Sequence, residues 1–236
     1  MPRQFKPIAQ QVIVITGATS RIGTATARLA VRQGARVVLG ADDTVALDQL
    51  AGDLRRSGGD VLALRVEAAV KEQITALGRA AVQRFGGVDT WINQSANDPY
   101  AALTQAARER RFKTDFWATV HGTIAARGLM TEDGGAIVNL DSDASAKHDV
   151  ASFTDALRAE IDTDGMPISV TLVRAPTGGA QATPQLVAEA VLYAARHARP
   201  VIRVRRATHR TSRATDLLAR CLDLLLLHHP YKTWRV

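Results

Sequence analysis

Residues 137–148 read IVNLDSDASAKH, an apolar run that passes straight into hydroxyl, carboxylate, ammonium and imidazole groups. Groups of these types, brought together, do proton-transfer chemistry. Ser142 carries a hydroxyl that donates and accepts, Lys147 a fixed cation, and His148 a ring that titrates near neutral pH. Asp143 lies between them. Once ionised it only accepts hydrogen bonds, and a nearby lysine makes it more acidic still, so it has no proton to give near neutral pH. On one helix Lys147 and His148 would point about 100° apart.

A second stretch, TGATSRIG at 16–23, is a glycine-spaced turn. Between a strand and a helix, such a turn can hold a pyrophosphate against backbone N–H groups at the helix N-terminus. The context is right: VIVIT (12–16) precedes it, a helical pattern follows over 22–33, and a second strand, ARVVLG, comes at 35–40. Thr16, Gly17, Thr19, Ser20, Arg21, Ile22 and Gly23 are the candidate ligand-binding residues of this turn.

These groups need a frame. Short β-branched runs at 12–16, 35–40, 61–66, 88–93, 135–140, 168–173 and 200–205 read as strands, nearly continuous in hydrophobicity as strands covered on both faces are. Between them, amphipathic helices fit 22–33, 44–58, 70–85, about 103–130, about 147–163 and 184–197. The alternation predicts one α/β domain, a parallel sheet with helices on both faces and right-handed crossovers. A basic, leucine-rich tail from about 206 ends the chain, with a last helix from about 213. On that helix Leu217, Leu218, Cys221, Leu222, Leu225 and Leu226 share a face, read as core or subunit packing, and Leu224 and Leu227 widen it toward a partner.

The chain's 236 residues suit one sizeable core, and an apolar share of 46% excludes a disordered chain. One cysteine, Cys221, excludes an internal disulfide. The start, MPRQFKPIAQ, has no long apolar run and no small-residue cleavage site, so no signal peptide is expected, and the longest aliphatic cluster, LDLLLL at 222–227, is too short to span a bilayer, so a soluble, cytoplasmic protein is expected. The net charge is +7, much of it in PVIRVRRATHRTSR at 200–213. That run reads as a solvated surface, and without interleaved aromatics nucleic acid is an unlikely partner. His228 and His229 are adjacent and lack the partners of a metal site.

In order along the chain, these motifs resemble the short-chain dehydrogenase/reductase family. GGVDTWINQSA (86–96) resembles its fourth strand and Asn-Asn-Ala-Gly motif, RRFKTDFWATVHGT (110–123) its next helix, and GGAIVNLDS (134–142) the strand ending on the catalytic Ser. FTDALRAEI (153–161) and ISVTLVRAP (168–176) resemble the helix and strand that follow. The resemblance implies a single Rossmann-type doubly wound domain of about seven parallel strands. It implies NAD or NADP at the strands' carboxyl edge, and hydride transfer to or from a small carbonyl or alcohol. It assigns Ser142 and Lys147 as catalytic, with Lys147 also on the cofactor ribose, and adds Asp42, Glu67 and Asn93 to the cofactor site. Homodimers or homotetramers, formed through the two long helices after the fourth strand, are expected from it too.

The departures cluster on function. Arg21 stands for the turn's second glycine, where it would either offer charge to the pyrophosphate or obstruct it. Asp42 would repel a 2′-phosphate and accept from a ribose hydroxyl, which favours NAD over NADP, unless it or Asp43 serves as the cap of the next helix. Glu67 replaces an Asp, the Asn-Asn-Ala-Gly motif reads Asn93-Gln94-Ser95-Ala96, and the structural Asn of the next helix is Asp115. Most consequential, the position of the catalytic Tyr, one helical turn before Lys147, is Asp143, and the loop between Ser and Tyr is absent. Few residues remain between APTGG (175–179) and TPQLVAEAVLYAARH (183–197), where the family places its substrate lid. The expectation is a family fold with degraded hydride-transfer chemistry that keeps weak dinucleotide binding. One alternative is an active enzyme with a proton donor rebuilt from His148 or Tyr100. His121 is a third candidate, and for all three a surface or packing role reads better. The other alternative is a scaffold that binds an acidic partner or nucleic acid through Arg203, Arg205, Arg206, Arg210 and Arg213.

Overall fold

The computed structural model describes residues 5–94, 105–130, 134–142, 149–175 and 183–204. Its strands are β1 (Val12–Thr16), β2 (Arg36–Ala41), β3 (Val61–Arg65), β4 (Thr90–Asn93), β5 (Gly135–Ser142), β6 (Ile168–Ala175) and β7 (Val201–Arg203). They form one sheet in the order β3-β2-β1-β4-β5-β6-β7, and every pairing is parallel. The helices are α1 (Arg21–Arg32), α2 (Thr44–Arg56), α3 (Lys71–Phe85), α4 (Gln105–Leu129), α5 (Asp149–Thr163) and α6 (Pro184–Ala194).

Side-chain alternation sorts the helices into two layers. Ile13, Ile15, Val37 and Leu39 face α1, α2 and α6, where Ala27, Leu50, Val187 and Val191 meet them. Val12, Val14 and Val38 face the other way, onto Ile74 and Leu77 of α3, Ala126 of α4 and Ile161 of α5. Every residue of β1 is therefore buried, as a strand with both faces covered must be. Leu29 of α1 is half-buried against the first of these cores.

The ends of the elements have local causes. Ser20, Asp43 and Thr183 cap α1, α2 and α6 by accepting the backbone N–H of Gly23, Ala46 and Leu186. α3 stops at Gly86, whose φ of 87° is left-handed. β4 begins at Thr90, later than the sequence pattern suggests. Asp89 spends its groups on Val12 instead: its carboxylate accepts the Val12 N–H at 2.7 Å, and its own N–H donates to the Val12 carbonyl at 3.0 Å. β5 and β6 run on to Ser142 and Ala175 because they pair along their whole length. Arg127 joins α4 to α5, donating to Glu160 at 2.6 Å and Asp164 at 2.7 Å. The hydrogen bond to Glu160, with both carboxylates' charge, holds this guanidinium above its ordinary pKa. Among the described residues no helix is long and apolar enough to cross a membrane.

Candidate functional site

β1 pairs with β2 on one side and β4 on the other, and the connections leave β1 and β4 in opposite directions. An open α/β sheet binds ligands in the crevice beyond the carboxyl ends at such a switch point. Thr16, the last residue of β1, fastens this crevice. Its Oγ1 donates to the Ile92 carbonyl at 3.3 Å and accepts the Gln94 N–H at 3.2 Å.

The turn that follows is held by its own backbone. Gly17 has a φ of 61°. The Ala18 N–H reaches across to the Gly40 carbonyl, and the Thr24 hydroxyl returns to the Ala18 carbonyl, both at 3.1 Å. A Cβ on Gly23 would stand 2.4 Å from the Gly17 carbonyl oxygen, so α1 approaches the turn only because residue 23 is glycine. Thr19 and Ser20 are half-buried, and Ile22 packs partly buried against the core. Arg21 is exposed at the first position of α1. No described residue other than glycine has a positive φ, so the backbone at 21 tolerates a side chain.

The remaining candidates continue along the same edge. Asp42, exposed just after β2, accepts the Asp43 N–H at 3.0 Å. Asp43 and not Asp42 caps α2, which leaves Asp42 outside the helix cap. Glu67, exposed beyond β3, receives the side-chain oxygen of Gln73 on its N–H at 2.7 Å and lies 3.5 Å from the Arg65 guanidinium. Asn93 behaves differently. It is 1% exposed, and its side chain turns into the core. Its Oδ1 accepts the Trp91 indole N–H at 2.8 Å, and its Nδ2 donates to Asn139 Oδ1 at 2.8 Å and to Thr123 Oγ1 at 3.1 Å. Both amide protons and one acceptor site of the oxygen are thereby used.

Ser142 closes β5 opposite Ala175 of β6, at the same carboxyl edge. Tyr100, Asp143, Ser145, Lys147, His148, the shortened segment at 176–182 and the tail from 205 lie outside the described residues. Asp115 is half-buried on α4, and Thr119 donates to its carbonyl at 3.1 Å. His121 stacks on Trp117, at 5.7 Å between ring centroids, and lines a groove with Lys71, Thr75 and Arg79 of α3, away from the edge. Among the described residues no three His, Cys, Asp or Glu side chains could hold a metal ion.

Three features of the site were not singled out as functional from the sequence. Gln94 presents a buried Oε1 without a hydrogen-bond partner beside Thr16. Asn139 carries the Asn93 network on to Thr154 Oγ1 of α5 at 3.0 Å. Asp141 of β5 faces Arg174 of β6, its register partner, at 3.8 Å. The signal for the last was present: a charge inside each of two otherwise apolar strands calls for a counter-charge.

The crevice suits a dinucleotide. A turn of backbone N–H groups that a Cβ at 23 would fill opens the helix, and an orphaned acceptor on Gln94 flanks it. The short chain dehydrogenase family model matches residues 11–187. The chain belongs to the short-chain dehydrogenase family. It is 32% identical to the uncharacterized oxidoreductase YxnA of Bacillus subtilis, a match covering 82% of this chain and 65% of that protein. It is 31% identical to a putative ketoacyl reductase of the granaticin polyketide synthase of Streptomyces violaceoruber, over 68% of this chain and 66% of that one. The chain thus spans just under two thirds of the length of these relatives. Among solved structures, an apo short chain oxidoreductase of Pseudomonas aeruginosa with an atypical catalytic center superposes with a TM-score of 0.71 at 18% identity, covering 88% of this chain and all of that one. An NADH-dependent reductase, A1-R′, complexed with NAD gives 0.68 at 23% identity, covering 84% and 97%. At these identities the two structures share the fold.

Proposed function

We propose that this chain keeps the family's dinucleotide-binding cleft while the usual proton-transfer step of hydride exchange is lost. The observation that carries the first half is the Gly17–Gly23 turn at the β1–β4 switch point, intact in backbone and helix approach. The second half rests on Asp143 at the position of the family's Tyr, an acceptor where the reaction needs a donor. The match to the Bacillus relative supports a chain shortened somewhere within the matched span. Its aligned span of 231 residues is longer than the 82% of this chain that takes part, so residues of the relative stand opposite gaps in this one.

When bound, NAD(H) supplies or accepts a hydride. The N–H groups of the turn would hold its pyrophosphate, Asp42 would accept from a ribose hydroxyl, and Gln94 Oε1 would accept a ligand N–H or O–H. Asp42 disfavours a 2′-phosphate, so NADH binds better than NADPH. Ser142 and Lys147 are the retained ends of a three-part catalytic set without its middle. Thr16, Thr19, Ser20, Ile22 and Glu67 shape the cleft, and Asn93 holds the floor beneath it. Two copies pair through the outer face of α4, where Trp117 and Ile124 are 51% and 53% exposed.

Titration of NADH and NADPH, followed by nicotinamide fluorescence, tests the first half: saturable NADH binding is expected, and none would leave only the fold. A broad panel of alcohols and ketones tests the second. Steady turnover that Ser142→Ala and Lys147→Ala abolish would restore a working reductase with a rebuilt proton donor.

A further inference from the structure

A row of three charged residues crosses the carboxyl edge of the sheet. Asp141 of β5, Arg174 of β6 and Arg203 of β7 are successive register partners. Register partners on parallel strands share a face. Two residues earlier on the same strands, Leu172 and Val201 pack with Val150 and Ala151 of α5, so the row lies on the α5 side. Neighbouring strands are about 4.8 Å apart, which sets the two arginines next to each other. Like charges so placed repel, and the one carboxylate of the row lies beyond Arg174, away from Arg203.

Among the described residues neither arginine is fully satisfied. Arg174 Nε is 3.8 Å from Asp141 Oδ2, outside hydrogen-bond reach, and is buried with no acceptor. Its side chain is 21% exposed, so part of it reaches the surface. Arg203 is exposed, with no hydrogen-bond acceptor among the described residues. Two neighbouring guanidinium groups with N–H donors left over among the described residues, at the edge where open α/β sheets bind their ligands, form half of an anion site.

We propose that Arg174 and Arg203 bind the carboxylate of a small organic acid. Among the described residues the row holds two guanidinium charges and one carboxylate, and this excess of one positive charge matches a monoanion better than a phosphate dianion. A carboxylate also fits the guanidinium fork with two parallel hydrogen bonds. Asp141 directly precedes Ser142, so an acid held by this row lies beside the end of β5 where the family's chemistry takes place. The site does not depend on dinucleotide binding.

Acetoacetate and 2,4-pentanedione are of nearly equal shape and differ in charge. Calorimetric titration of the full chain with each, without dinucleotide, should show acetoacetate binding at least tenfold more tightly and weakening as salt rises. Inorganic phosphate should bind more weakly than acetoacetate. Arg174→Gln and Arg203→Gln should each weaken acetoacetate by tenfold or more and change the NADH dissociation constant less than twofold. Arg203 is exposed on an edge strand, so its variant reports on the site even if Arg174→Gln fails to fold. Equal affinity for acetoacetate and 2,4-pentanedione, no binding of either, or wild-type affinity in Arg203→Gln overturns the proposal. So does tighter binding of phosphate, or an equal loss of NADH affinity in the variants, either of which assigns the row to a phosphate group. Loss of NADH binding alone, with acetoacetate still bound, defeats the dinucleotide reading and leaves this one standing.

Discussion

Asn93 and Asn139, register partners on β4 and β5, join their side-chain amides at 2.8 Å inside a core otherwise built from Ile, Val and Leu. Trp91 donates into one end of the chain, and Thr154 receives at the other and donates on to the Val150 carbonyl at 2.6 Å. Strands β4 and β5 and the first turns of α5 are thus tied by buried bonds. Asn139→Ala removes an acceptor from Asn93 and a donor from Thr154, both in a site without water access. Urea denaturation should show a loss of about 2–3 kcal/mol. A change below about 0.5 kcal/mol would mean that the network adds nothing net.

Gly122 permits this network. A Cβ there would stand 1.9 Å from Asn93 Oδ1 and 2.8 Å from the Trp91 indole nitrogen. Gly122→Ala should cost about 2–3 kcal/mol, from crowding and from displacing the Trp91–Asn93 bond, and should change the Trp91 emission. Gly128, on the same helix, is exposed, and a Cβ there meets nothing within 4 Å. Gly128→Ala should therefore stabilise by about 0.8 kcal/mol, through helix propensity alone. Opposite signs from one substitution at two sites of one helix separate packing from propensity.

Gly23→Ala addresses the turn. The added methyl meets the Gly17 carbonyl oxygen at 2.4 Å, and because that oxygen belongs to the backbone, α1 has to shift. Thermal stability should fall, and NADH affinity should fall tenfold or more, since the N–H groups of the turn no longer converge. An alanine variant with unaltered NADH binding would show that the dinucleotide is held elsewhere.

Much of the frame is legible in the amino-acid sequence, because its causes are local. VIVIT ends where Gly17 must turn, and Leu47, Leu50 and Leu54 recur at helical spacing and are buried as that spacing requires. What escapes is set by register. Asn93 and Asn139 are 46 residues apart, and Asn93 reads as a cofactor contact by its place in a motif until β4 is laid beside β5. Arg203 reads as one charge in a basic run, and only its alignment with Arg174 and Asp141 makes it part of a row. Buried networks and charged rows form between strands, so no window along the chain contains them.

Asp42 and Asp43, equivalent as cap candidates in the sequence, are assigned different work by the geometry. Asp43 accepts the Ala46 N–H at 3.0 Å and starts α2, while Asp42 extends beyond β2 next to the turn. Asp43→Ala should lower stability by about 1 kcal/mol and leave NADH affinity unchanged, because a cap is lost and the cleft is not. Asp42→Asn keeps the acceptor for the Asp43 N–H and removes only the charge. Stability should hold, NADH should weaken severalfold, and NADPH should gain, because no carboxylate then repels its 2′-phosphate. Fluorescence titrations of both nucleotides, alongside thermal melts of both variants, resolve the two roles. If Asp43→Ala weakens NADH as much as Asp42→Asn does, the division is wrong, and the pair acts through the position of α2 rather than through a contact from Asp42.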